Sequence, residues 1–190
     1  MKYFKTIKLK DSRECVLRNA VREDGQAVLE NFIQTHTETD FLLSYPDEIK
    51  YTLEEEADYM QEKADSENEI EVIAVVGGKV VGSAGICAVG KSYKIRSRAT
   101  FGISVIKEFW GLGIGKAMIE ACVECAKEAG YIQLELDVNA ANERALGLYK
   151  KCGFVEYGRN PYGFNSRENG WQPMVLMRKE LKALPHNNEN

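Results

Sequence analysis

Gly111, Gly113 and Gly115 alternate in the stretch Val105-Ile106-Lys107-Glu108-Phe109-Trp110-Gly111-Leu112-Gly113-Ile114-Gly115-Lys116, between an apolar strand-like run and the start of an amphipathic helix. Glycine lets a backbone approach an anion with no Cβ in the way, and the first-turn N–H groups of a helix are unpaired donors carrying partial positive charge. The segment is therefore a candidate cradle for a phosphate group. Its donors would be the backbone N–H groups of Gly111, Leu112, Gly113, Ile114, Gly115 and Lys116, with the helix dipole adding about 0.3–1 kcal/mol. Lys116 adds a charge to the same turn, although a lysine there is otherwise an ordinary solvated residue.

Two nucleotide motifs fail on this loop. The P-loop, Gly-x-x-x-x-Gly-Lys-Ser/Thr, would need glycine and a hydroxyl where the chain has Trp110 and Ala117. The dinucleotide fingerprint Gly-x-Gly-x-x-Gly ends on Lys116 in one frame and on Met118 in the other. The pattern that fits is Arg/Gln-x-x-Gly-x-Gly/Ala after a strand, with Gly113 and Gly115 in place and Trp110 at the Arg/Gln position. Downstream, Leu134-Glu135-Leu136-Asp137-Val138 reads as a strand, followed by Asn142, Ala145, Leu148-Tyr149 and Gly153-Phe154. On these two motifs, in this order and spacing, the chain resembles the GCN5-related N-acetyltransferase (GNAT) family over residues 72–180.

That resemblance implies acetyl-CoA as co-substrate, no metal, and the cofactor pyrophosphate on the glycine loop. It implies strand-like pairing of the pantetheine amides with the backbone of Ile103, Ser104 and Val105. It also implies an arm contact from Asn142, and a Tyr149 that stands beside the thioester sulfur and protonates the departing thiolate. Tyr149 lies seven residues after Asn142, close to two turns at about 3.6 residues per turn, so both side chains are expected on one helix face. Without the flanking signature, Tyr149 would read as a core aromatic.

An alkylamine has a pKa of about 10.4, so its nucleophilic form is scarce at neutral pH and a proton acceptor is needed. Glu135 and Asp137 share a face of the strand before Asn142, and in relatives resembling the ribosomal-protein N-terminal acetyltransferases an acid matches Asp137. Asp137, directly or through water, is the expected base. The same alternation of acids with leucines is also ordinary strand patterning. Two aromatic loops are expected to line the acceptor side, 38–48 with Phe41 and Tyr45, and 159–164 with Tyr162. The acceptor is expected to be a small-molecule amine or a peptide N-terminus.

Composition agrees with a soluble globular protein. The chain has 190 residues, is 44% hydrophobic, and carries 25 basic against 29 acidic residues for a net charge of -4. Residues 1–182 read as a single GNAT-like acetyltransferase domain and 183–190 as a polar tail. No basic run points to nucleic acid, and no apolar run or leader points to a membrane, so the chain reads as cytoplasmic. The oligomeric state is open and allows a homodimer. Cys122 and Cys125 have Cys-x-x-Cys spacing but share a helix face with Ile114, Met118, Ala121 and Ala129, which marks them as core residues.

The positioning elements read as a hairpin over 3–9 and 14–19, then a helix over 25–37 with Asp24 as N-cap, then a second helix opened by a Thr52/Glu55 capping box. A hairpin over 70–76 and 79–88 turns at Gly77-Gly78. A strand over 97–106 leads into the loop, and a helix over 113–129 ends at Gly130. A strand over 132–138, a short helix from Asn142 to Gly153, and strands over 154–157 and 173–178 follow. Taken with the resemblance, this order implies an α/β fold with a mixed, mostly antiparallel central sheet, splayed central strands and flanking helices. The competing reading is a non-catalytic acyl-CoA-binding or sensing module that keeps the loop but lacks the chemistry. The presence of Tyr149 argues against it.

Overall fold

The computed structural model describes residues 1–182, so the polar tail predicted at 183–190 lies outside the described residues. Its strands are β1 (Phe4–Lys8), β2 (Glu14–Asn19), β3 (Ile70–Val76), β4 (Lys79–Ala88), β5 (Arg98–Val105), β6 (Gln133–Asn139), β7 (Val155–Ser166) and β8 (Gly170–Glu180). Four α-helices are interleaved with them: α1 (Gly25–Glu38), α2 (Leu53–Asp65), α3 (Ile114–Glu128) and α4 (Glu143–Lys151). The strands form one sheet in the order β1-β2-β3-β4-β5-β6-β8-β7. Every neighbouring pair is antiparallel except β5 with β6.

The β5–β6 pair positions the site. The two strands join only at Arg98–Gln133, Ala99–Leu134 and Thr100–Glu135, and then part. Meanwhile β5 stays zipped to β4 as far as Val105 opposite Gly82, and β6 to β8 as far as Asn139 opposite Met174. The sheet therefore opens a wedge between Phe101–Val105 and Leu136–Asn139.

Burial follows the period-2 geometry of a strand. Val72, Ala74 and Val76 face the main core with Met118, Ile119, Cys122 and Cys125 of α3, while Ile73 joins Val28 of α1 and Met60 of α2 in a second cluster. Helices thus cover both faces of β3. The Gly77-Gly78 turn has both glycines at positive φ, +57° and +84°, as a two-residue hairpin of type I′ requires.

The Thr52 box forms as expected: Glu55 N–H donates to Thr52 Oγ1 at 3.2 Å, and Thr52 N–H donates to Glu55 Oε2 at 2.7 Å. Thr52→Ala is expected to cost about 1 kcal/mol and to lower Tm by about 2–4 °C, measured by thermal melting followed by circular dichroism. Asp24 occupies the N-cap position of α1 without capping it. Its carboxylate instead takes the Arg18 guanidinium at 2.6 and 2.7 Å and the Val21 N–H at 2.9 Å.

The larger correction concerns residues 159–164, which are strand rather than loop. They belong to β7, an edge strand whose register against β8 shifts between Glu156 and Gly158 and again between Asn160 and Phe164. Pro161 sits inside the second irregularity, where the missing N–H removes no ladder bond that the sheet needs.

Candidate active site

The wedge between β5 and β6 opens into a cleft of 1210 Å³. Gly111, Gly113 and Gly115 lie at one end, Ile103, Ser104 and Val105 along one wall, and Asn142, Tyr149 and Asp137 along the other side. Gly111 and Gly113 have φ of +81° and +103°, a region that favours glycine because a side chain there crowds the backbone. Gly113 is the N-cap of α3. The first bond to close the helix runs from Ala117 N–H to Gly113 C=O at 3.1 Å, which leaves the N–H groups of Ile114, Gly115 and Lys116 without intrahelical acceptors.

The side chain of Ile114 is buried in the core, and the Leu112 carbonyl accepts the Lys10 N–H at 3.2 Å. Neither Leu112 nor Ile114 is among the residues that line the cleft. Lys116 lines the cleft and pairs with Glu120 at 3.5 Å, an exposed pair that holds the ammonium weakly.

Tyr149 is fixed by its neighbours. Its ring lies 6.4 Å from Phe101 at 89° and 5.9 Å from Phe154. Gly153, at φ +85°, reverses the chain so that Phe154 N–H returns to the Tyr149 carbonyl at 3.0 Å. The Gly-Phe pair of the sequence signature is thus the device that seats Phe154 beneath the tyrosine. Among the described residues the Tyr149 hydroxyl makes no hydrogen bond, and burial, helped by the nearby Cys152 thiol, pushes its pKa up. It is therefore held as a neutral O–H donor facing the cleft.

Asn142 caps α4: its Oδ1 accepts Ala145 N–H at 3.1 Å, leaving the side-chain NH₂ as a donor. It stands at the cap rather than inside the helix, and still shares the cleft with Tyr149.

The two acids of β6 are placed differently. Glu135 is buried and gripped by Arg98, with Nε at 2.5 Å and Nη2 at 2.7 Å, and by Gln133 Nε2 at 2.9 Å. The Arg98 hydrogen bonds hold its carboxyl below the usual carboxylate range. Asp137 has no such cation; partial burial, then the Glu135 charge, raises its pKa. A carboxylate that is unpaired, raised in pKa and facing the cleft is the better proton acceptor.

Of the expected acceptor walls, Phe41 lines the cleft, together with Leu42 and Leu43. Tyr45 lies off it. Its hydroxyl donates to Asp40 at 2.9 Å and accepts Arg167 N–H at 2.8 Å, and the Arg167 guanidinium stacks 4.1 Å above its ring. Tyr162 also lies off the cleft, exposed on β7 with its ring 6.1 Å from Trp171. Met174, Leu176 and Tyr157 take their place. The β6–β8 register sets Leu176 opposite Asp137, a pairing 39 positions apart in sequence (176 − 137) and so without a local signal.

Cys122 and Cys125 are both buried in the core, and burial pushes both thiols up. Among the described residues no three His, Cys, Asp or Glu side chains gather as a metal site, and no helix is long and apolar enough to cross a membrane.

The sequence model of the acetyltransferase (GNAT) family matches residues 31–154. The chain belongs to the GNAT family. Among curated relatives, human N-acetyltransferase 8B is 32% identical over 83 residues, covering 43% of this chain and 37% of that protein. An uncharacterised N-acetyltransferase of Dictyostelium discoideum is 38% identical over 65 residues, 34% of this chain and 29% of the relative. The match spans about a third of the length of these relatives. A GNAT acetyltransferase structure from Streptococcus pneumoniae superposes with a TM-score of 0.84 at 29% identity, over 87% of this chain and 99% of that one. The yncA structure from Salmonella typhimurium, solved with acetyl-CoA, gives 0.79 at 15% identity, over 93% and 99%, and speaks to the fold. Acetyl-CoA is the family's co-substrate, and the splayed sheet with its glycine loop is the GNAT fold.

Proposed function

We propose that residues 1–182 form one catalytic unit that transfers the acetyl group of acetyl-CoA to a primary amine by direct attack in a ternary complex. The observation that carries this reading is the position of Tyr149. Tyr149, its hydroxyl protonated and without a hydrogen-bond partner among the described residues, lines the same wedge whose wall is the unpaired edge of β5 and whose end is the glycine loop. The residues fit the cofactor: convergent N–H groups at 111–116 for the pyrophosphate, the Ile103–Val105 backbone for the pantetheine amides, and the Asn142 NH₂ for the arm.

Bound acetyl-CoA supplies an activated acyl group and a thiol leaving group. Tyr149 then donates its proton to the sulfur, and Asp137, directly or through water, takes the proton from the attacking amine. No cysteine lines the cleft among the described residues, so no thiol of these residues is placed there to carry the acyl group. The acceptor, a small-molecule amine or a peptide N-terminus, would enter between Phe41 and Leu176, with Asp137 at the end of that passage.

The test is release of free thiol from acetyl-CoA against a panel of peptides, polyamines, amino acids and simple arylalkylamines. Amine-dependent release supports the reading. Tight CoA binding with no release for any amine would replace it with the sensing module.

A pH profile separates the two acids. Because the pKa of Asp137 is raised, activity is expected to fall on the acid side at a pH above the ordinary carboxylate value of about 3.9, as the base becomes protonated. Asp137→Asn should lower kcat/KM and abolish that acid limb. Glu135→Gln should keep the limb but move it to lower pH, because the Glu135 charge is one of the two causes that raise the Asp137 pKa.

A further inference from the structure

Trp110 stands where the family loop carries Arg or Gln, and the structure shows what it does instead. Its indole N–H donates to the Val105 carbonyl at 2.6 Å, fixing the ring at the point where β5 ends and the loop begins. The guanidinium of Arg144, from the first turn of α4, lies over that ring at 4.7 Å from its centroid. Arg144 Nη2 is also 3.8 Å from the point where a Cβ on Gly111 would stand, and the residue lines the cleft. Among the described residues its guanidinium enters no ion pair, whereas Lys116 on the same loop is paired with Glu120. A cation is thus suspended above the phosphate cradle by a side chain that is not itself charged.

We infer that Arg144, held against Trp110, is the pyrophosphate-binding cation of this chain, restoring from α4 the charge that the loop lacks at position 110. This inference rests on the reading of the cleft as an acetyl-CoA site. A planar guanidinium can take two phosphate oxygens at once. Stacking on a ring that is itself hydrogen-bonded removes rotamer freedom before the ligand arrives, which favours binding. Lys10 and Lys151 also line the cleft. The place of Arg144 beside Gly111 assigns it the pyrophosphate and not the 3′-phosphate.

The test is calorimetric titration of the full chain with CoA, 3′-dephospho-CoA and pantetheine, on wild type, Arg144→Gln, Arg144→Lys, Trp110→Leu and the Trp110→Leu/Arg144→Gln double variant. Thermal melting controls for folding. Arg144→Gln is expected to raise Kd for both CoA and 3′-dephospho-CoA about tenfold or more and to leave pantetheine binding unchanged. Arg144→Lys should recover part of the loss. Trp110→Leu should weaken both phosphate ligands, and the Arg144→Gln effect should shrink in its presence, because the platform and the cation act as one unit.

An unchanged Kd for CoA in Arg144→Gln overturns the inference. So does a loss confined to CoA with 3′-dephospho-CoA unaffected, which would move Arg144 to the 3′-phosphate. Wild type that fails to bind CoA at all would overturn the acetyl-CoA reading of the cleft itself, a result distinct from either.

Discussion

Tyr149→Phe is expected to lower kcat by about 10²-fold or more while leaving the Kd of CoA nearly unchanged. The variant keeps the ring, and with it the contacts at 5.9 and 6.4 Å to Phe154 and Phe101 that order the end of α4. What it removes is one oxygen, which makes no hydrogen bond among the described residues. The structural cost is therefore small, and stability measured by thermal melting should hold or rise slightly. A lost proton donor appears only when the thiolate leaves, so the loss belongs in kcat rather than in the ground-state affinity for the cofactor. A purely core role for Tyr149 would show the opposite pattern, with little change in turnover.

Gly113→Glu is expected to weaken CoA binding by about 10²-fold or more, through two additive costs. At φ +103° the backbone lies where an L-residue is strained by about 1–3 kcal/mol. The new carboxylate would also point into a cradle built for an anion, opposing the donors of Ile114, Gly115 and Lys116. Gly113→Ala carries only the first cost, and no heavy atom within 4 Å of the added Cβ obstructs it. Calorimetry on the two variants should therefore show a graded loss, with the alanine variant between wild type and the glutamate variant. Equal, unchanged affinities would remove the pyrophosphate from this loop.

What the sequence made legible was local. The Gly77-Gly78 turn, the Thr52/Glu55 box, the alternating glycines before α3 and the Gly153-Phe154 ending of α4 each act within a few residues, so their chemistry is written beside them. The family resemblance extended that to the splay and to the place of Tyr149 on the cleft. What stayed hidden depends on partners far apart in sequence. Tyr45 was a plausible pocket wall until Asp40 and Arg167 claimed its hydroxyl. The resemblance favours Asp137 over Glu135 as base, but that Arg98 takes Glu135 follows only from the parallel pairing of β5 with β6. The long β7 was obscured by Pro161 and Gly163, which mark loops in most contexts but are accommodated at an irregular sheet edge. Trp110 looked like a gap in a motif, and only packing against α4 shows the cation it carries.

A crystal structure of the chain with acetyl-CoA tests the central claim most directly. The account predicts the cofactor in the wedge between β5 and β6, its pyrophosphate on the N–H groups of residues 111–116, its amides along Ile103–Val105, and its thioester sulfur within hydrogen-bond reach of the Tyr149 hydroxyl. A thioester directed away from Tyr149, or a cofactor bound outside the wedge, would contradict it.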